Sequence, residues 1–98
     1  MTGHEEIGEI AYSASFIEWF SEETKRIYGD VIPGHMHDRR TLVIKQPVGV
    51  VAALIPWNFP IILASRKIST ALAAGCSVIV KPDVITPGSV MEIVDICR

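Results

Sequence analysis

Along the opening third of the chain, apolar side chains return every three or four positions, at Ile7, Ile10, Ala11, Ala14, Ile17 and Phe20, continuing through Thr24 to Ile27 and Tyr28. This spacing predicts one long amphipathic helix. Thr2 and Glu5 form a capping box at its start, and Gly29 supplies its stop. Glu9, Glu18, Glu22, Glu23 and Lys25 fall on a solvated polar face. Glu5, Glu6 and Glu9 also suit the positive end of the helix dipole. Residues 31–40, punctuated by Pro33 and Gly34, read as a loop.

From Thr41 the pattern turns to β. Residues 41–46 carry strand formers, and residues 48–55 are a nearly unbroken apolar run of the sort buried on both faces, which predicts a central strand. Ile61 to Ala74 has helical composition and stops at Gly75, and Ser77 to Lys81 reads as a second short buried strand. Thr86 caps a last helix with Pro87 at its first position. The predicted class is therefore α/β, a long N-terminal helix followed by β-β-α-β-α, with two parallel strands joined by a right-handed crossover. The turns after these strands then share one carboxyl edge, where open α/β sheets bind ligands, and Asn58, Lys81 and Asp83 share its rim.

The first of those turns is the sharpest chemical feature of the chain. In Ile55-Pro56-Trp57-Asn58-Phe59-Pro60 two prolines fix φ on either side of one amide side chain, and Trp57 and Phe59 offer apolar anchors. Such a turn holds Asn58 with little entropy left to lose. Two roles are open to it: presenting its NH₂ group to a ligand, or satisfying turn backbone as asparagine commonly does. Lys81 has a similar choice between a ligand contact and extending out of a sheet edge into water.

Composition narrows the partners. The 98 residues are 49% hydrophobic and 20% charged, which fits a globular chain. A mean hydropathy of +0.35 is high for a small free-standing domain and suggests a piece of something larger. The net charge of −2 without a basic block disfavours nucleic acid and anionic membrane surfaces. The longest apolar run is about half a membrane span, and no cationic leader precedes it, so a cytoplasmic setting is expected. Cys76 and Cys97 read as free, buried thiols in a reducing compartment. His35 and His37 lack a third and fourth partner, so no metal is expected.

Four ordered strings, Gln46-Pro47-Val48-Gly49-Val50, the Ile55–Pro60 turn, Ala71-Leu72-Ala73-Ala74-Gly75-Cys76 and Val80-Lys81-Pro82, resemble the aldehyde dehydrogenase superfamily. Gly8 to Tyr12, Phe16 to Phe20 and Lys25 to Asp30 resemble its succinate-semialdehyde branch. The resemblance implies that residues 1–98 are an early, partial nucleotide-binding domain of Rossmann-like character, with residues 41–46 a strand of the bridging region that joins subunits in a homo-oligomer. It also implies an oxidoreductase that uses NAD or NADP to convert an aldehyde, succinate semialdehyde in that branch, to its acid through a cysteine thioester.

By the same resemblance, Asn58 is an oxyanion donor. Ile55, Pro56 and Trp57 lie against the cofactor, and Lys81 binds an adenosine ribose hydroxyl. Where many members carry a ribose-binding glutamate, or a small polar residue that tolerates a 2′-phosphate, this chain has Val84, leaving Asp83 as a substitute acceptor and a slight preference for NAD. The family's nucleophilic cysteine and general-base glutamate belong to later motifs, so the chain alone is expected to be inactive. Two rival readings follow. One is a truncated chain acting only by association with other subunits; the other, a minimal nucleotide-binding module, is disfavoured by the lack of a Gly-rich phosphate loop.

Overall fold

A computed structural model describes residues 3–98. Helix α1 (Gly3–Glu23) leads through a 3₁₀ turn (Thr24–Arg26) to strands β1 (Asp30–Pro33) and β2 (Arg40–Val43), then β3 (Val50–Leu54), α2 (Pro60–Ala73), β4 (Ser77–Lys81) and α3 (Pro87–Ile96). This is the expected mixed α/β order with one strand more. The Thr2–Glu5 capping box lies outside the described residues and side chains.

The extra strand corrects the reading of residues 31–40 as a loop. β1 pairs antiparallel with β2, Val31 opposite Leu42 and Ile32 opposite Thr41, and the Gly34 N–H donates to the Arg39 carbonyl at 3.0 Å across the bend. Every β1 residue is exposed, so no alternation marked it in the sequence. Gly29 has a different role from the helix stop expected of it. The helix has already given way at Glu23, and a Cβ at Gly29 would collide with the Val43 carbonyl oxygen, so the glycine lets the hairpin strands close.

The second half follows the predicted wiring. β3 and β4 are parallel, with Val51 opposite Val78, Ala53 opposite Val80 and Leu54 opposite Lys81. Between them α2 ends in paired backbone bonds, Gly75 N–H to Leu72 O at 3.0 Å and Cys76 N–H to Ala71 O at 2.9 Å. Gly75 sits at φ +81°, the left-handed conformation this helix ending requires. Ala53, Ile55, Ala64, Ile68 and Val90 form the core, with Val78, Val80, Ile93 and Val94 packed around it.

β3 is not the fully buried central strand its composition suggested. The sheet holds only β3 and β4, and α2 and α3 cover the face that carries Val51, Ala53, Val78 and Val80. The opposite face leaves Val50, Leu54 and Ile79 about two-thirds exposed.

Helix α1 packs on α2 through a face that the periodicity picked out only at Phe20. Among its described residues Glu9 and Ser13 are buried, with Phe16, Phe20 and Glu23 half-buried along the same line, whereas Ile7, Ile10 and Ile17 are exposed. Small buried residues, Ser13 on α1 and Ala64 and Ser65 on α2, permit the close approach, and Arg66 lies 5.4 Å from the Phe16 ring centre. Of the two free thiols, Cys76 is buried as expected. Cys97 is exposed, because it follows the last turn of α3 instead of facing the core.

Among the described residues no helix is long and apolar enough to cross a membrane, and no three metal-ligating side chains come together.

Candidate active site

The turn after β3 is fixed from the sheet side by one bond. Ile55, 4% exposed, donates its N–H to the Lys81 carbonyl at 3.0 Å, extending the ladder one residue past β3. Pro56 has no N–H with which to continue it, so the chain leaves the sheet there. Pro56, Trp57, Asn58 and Phe59 are all exposed, and Phe59 takes the N-cap position of α2 at φ −141° with Pro60 following. Trp57 and Phe59 are therefore not the anchors their size suggested. Ile55 anchors the turn below, and helix α2 anchors it above.

Phe59 has no side-chain acceptor, so the first free amides of α2 need one from elsewhere. Glu9 provides it: its Oε1 accepts from the Ile61 N–H at 3.1 Å and the Ile62 N–H at 3.4 Å. A solvated face was expected for Glu9, but it is 6% exposed and spends its carboxylate on a helix more than fifty residues along the chain. Periodicity assigned it to the polar side, and no local signal marks a cap supplied from so far away.

Glu9, Trp57, Asn58, Pro60, Thr86 and Ser89 line an open cleft of about 590 Å³. Thr86 occupies the predicted N-cap position of α3, yet its hydroxyl makes no capping bond and is buried without a partner. Its backbone N–H instead donates to the Asp83 carbonyl at 3.3 Å.

Lys81 ends β4 directly beside Leu54, so it stands at the same carboxyl edge as the Pro56–Pro60 turn, as expected. Its residue is exposed, and it forms no ion pair among the described residues. A second lysine there escaped sequence reading: Lys67 of α2 donates from Nζ to the Leu54 carbonyl, strapping the helix to the end of β3. Asp83 commits one carboxylate oxygen to its own turn, with Oδ1 accepting from the Ile85 N–H at 2.9 Å. Val84 beside it is 89% exposed.

The edge thus offers a neutral amide donor on a stiff turn, exposed apolar surface at Pro56, Trp57 and Val84, and a free cationic donor at Lys81. These groups can meet a ligand that carries hydroxyls and flat apolar parts. Cys76 is unsuited to act here. It is buried and precedes β4 at the end opposite Lys81, roughly 16 Å away at the rise of a strand.

Residues 2–98 match the model of the aldehyde dehydrogenase family. The chain is 60% identical to a glutarate-semialdehyde dehydrogenase of Pseudomonas putida, over 93% of this chain and 19% of that protein. It is 58% identical to an NADP(+) succinate-semialdehyde dehydrogenase of Escherichia coli, over 91% of this chain and 18% of that one. The crystal structure of a succinate-semialdehyde dehydrogenase from Burkholderia pseudomallei superposes with a TM-score of 0.84 at 52% identity, over 90% of this chain and 18% of that chain. The chain thus spans under a fifth of the length of these relatives. With the residues matched from one end of the fold to the other, the chain belongs to the aldehyde dehydrogenase family.

Proposed function

We propose that these residues supply the oxyanion donor and part of the cofactor site of an NAD(P)-dependent dehydrogenase that oxidises a short dicarboxylic semialdehyde, succinate semialdehyde foremost, to the acid. The observation that carries this reading is Asn58, exposed at the tip of a turn held at both ends, in a chain of this family. Addition of a thiolate to an aldehyde moves the carbonyl π electrons onto oxygen. A fixed, neutral NH₂ group stabilises that charge without ionising and without reorganising when it appears.

Cys76 is buried at the far end of β4, and Cys97 lies beside the C-terminal half of α2, away from Asn58 at its start, so the nucleophile comes from later in the longer polypeptide to which we assign these residues. Bound nicotinamide cofactor accepts the hydride. Residues 1–98 act as the opening part of the nucleotide-binding domain, with residues 41–46 bridging subunits of a homo-oligomer. In the cofactor site, Pro56, Trp57 and the Ile55 backbone give the cofactor an apolar wall, and Lys81 donates to a ribose hydroxyl. Asp83 retains one oxygen not committed to the Ile85 amide, which would accept from ribose and repel a 2′-phosphate, giving NAD a slight advantage over NADP.

Asn58→Ala in the native polypeptide carrying these residues is expected to lower kcat by roughly 100- to 1,000-fold, about 3–4 kcal/mol, with little change in KM for cofactor. Retention of wild-type kcat would remove Asn58 from the reaction.

A further inference from the structure

Helix α2 imports its N-terminal cap. A serine, threonine or aspartate at the N-cap would serve locally, but the sequence places Phe59 there and leaves the Ile61 and Ile62 amides to a carboxylate from the opposite helix. A carboxylate at this position also complements the positive end of the helix. Only Phe59 and Pro60 separate Asn58 from the two capped amides, and Pro60 has a fixed φ. Movement at the start of α2 therefore passes directly into the turn. Glu9 and Asn58 also line the same cleft, so the carboxylate and the turn it holds share one surface.

We infer that Glu9 is a positioning residue for Asn58: its contact with Ile61 and Ile62 fixes where the Asn58 amide points, so that α1, which carries no reacting group, sets the geometry of the oxyanion site. This inference rests on the reading of Asn58 as the oxyanion donor. The turn is then clamped between two long-range contacts, Ile55 on Lys81 of the sheet and Ile61 and Ile62 on Glu9 of α1. Loss of the second clamp leaves cofactor-binding residues on the sheet side in place.

The test is a double-mutant cycle in the native polypeptide that carries these residues. Glu9→Ala is expected to lower kcat by about 10- to 100-fold, the cost of a donor misplaced by about an ångström, with KM for cofactor within about twofold. Glu9→Gln keeps an acceptor oxygen and is expected to recover most of that loss. In an Asn58→Ala background, Glu9→Ala is expected to cost no further kcat, because the group it positions is gone. Hydrogen exchange at the Ile61 and Ile62 amides is expected to quicken at least about fivefold in Glu9→Ala, as loss of a bond to a charged acceptor implies.

If Asn58→Ala alone leaves kcat intact, the oxyanion reading fails and this inference fails with it. If Asn58→Ala slows the enzyme but Glu9→Ala has no effect on kcat, or multiplies the loss in the double variant, Glu9 does not act through Asn58. Unchanged exchange at Ile61 and Ile62 in Glu9→Gln and Glu9→Ala alike would overturn the contact itself.

Discussion

At the residue scale, the decisive side chains are those whose environment contradicts their type. Glu9 is charged and buried, Trp57 is aromatic and 60% exposed, and Val84 is aliphatic and 89% exposed. The first is explained by the orphan amides it satisfies, and the other two lie at the proposed cofactor site, where a bound ligand would cover them. On the proposed reading of the cofactor site, Val84 gives a direct handle on cofactor choice. A glutamate at this exposed position would provide a carboxylate that accepts from ribose hydroxyls and repels a 2′-phosphate. Val84→Glu is therefore expected to raise the NAD-to-NADP ratio of kcat/KM by about tenfold, the worth of one charge-assisted hydrogen bond. An unchanged ratio, measured with both cofactors on one preparation, would place the adenosine ribose elsewhere. Asp83→Ser, which removes the carboxylate next to that position in the chain, is expected to move the ratio the other way.

At the element scale, the β3-α2-β4-α3 half was legible because its punctuation is local. Pro56 and Pro60 end one strand and start one helix, Gly75 stops that helix, and Pro87 begins the next. Gly75 shows how strict this punctuation is. It combines φ +81° with a neighbour, Pro47 Cγ, that a Cβ would meet at 3.1 Å. Gly75→Ala is expected to destabilise the native polypeptide by at least about 1 kcal/mol, read as a lower denaturation midpoint at unchanged slope. A neutral result would mean that the α2–β4 connection tolerates a different ending.

The first half was less legible for physical reasons. β1 has no buried face to impose alternation, and α1 turns polar and small residues towards α2 because close helix contact and a distant cap matter more there than apolar area. Asn58, Lys81 and the shared carboxyl edge could be placed from sequence, since they depend only on strand direction. Glu9 and Lys67 could not, since each contacts an element that its own neighbours do not predict.

At the scale of the whole molecule, surface is the dominant fact. The chain measures 62 × 25 × 22 Å with a radius of gyration of 17.7 Å, against about 13 Å for a compact chain of this length. It exposes 7488 Å², roughly 2,000 Å² more than a folded monomer of its mass. That excess is the size of a stable protein interface, and it includes Val50, Leu54 and Ile79 on the open face of the sheet. The proposal that these residues work within a longer polypeptide predicts that an antibody against residues 31–40, an exposed hairpin bend, detects a native species several times heavier than 10.8 kDa. A native species of 10.8 kDa would instead favour the rival reading, in which the chain acts by association with other subunits.

The two prolines that bracket β3 have a consequence for solubility. Residues 48–55 form an eight-residue run without a charge, rich in β-branched and aliphatic side chains, in a two-stranded sheet both of whose edges are open. A segment of that kind is a template for cross-chain pairing whenever it is uncovered, as it must be while a chain is being made. Pro47 stands immediately before the run and Pro56 immediately after it, and neither can donate to a growing ladder. Pro56, which also shapes the turn for Asn58, therefore acts with Pro47 as a gatekeeper, confining intermolecular β-sheet to the residues between them.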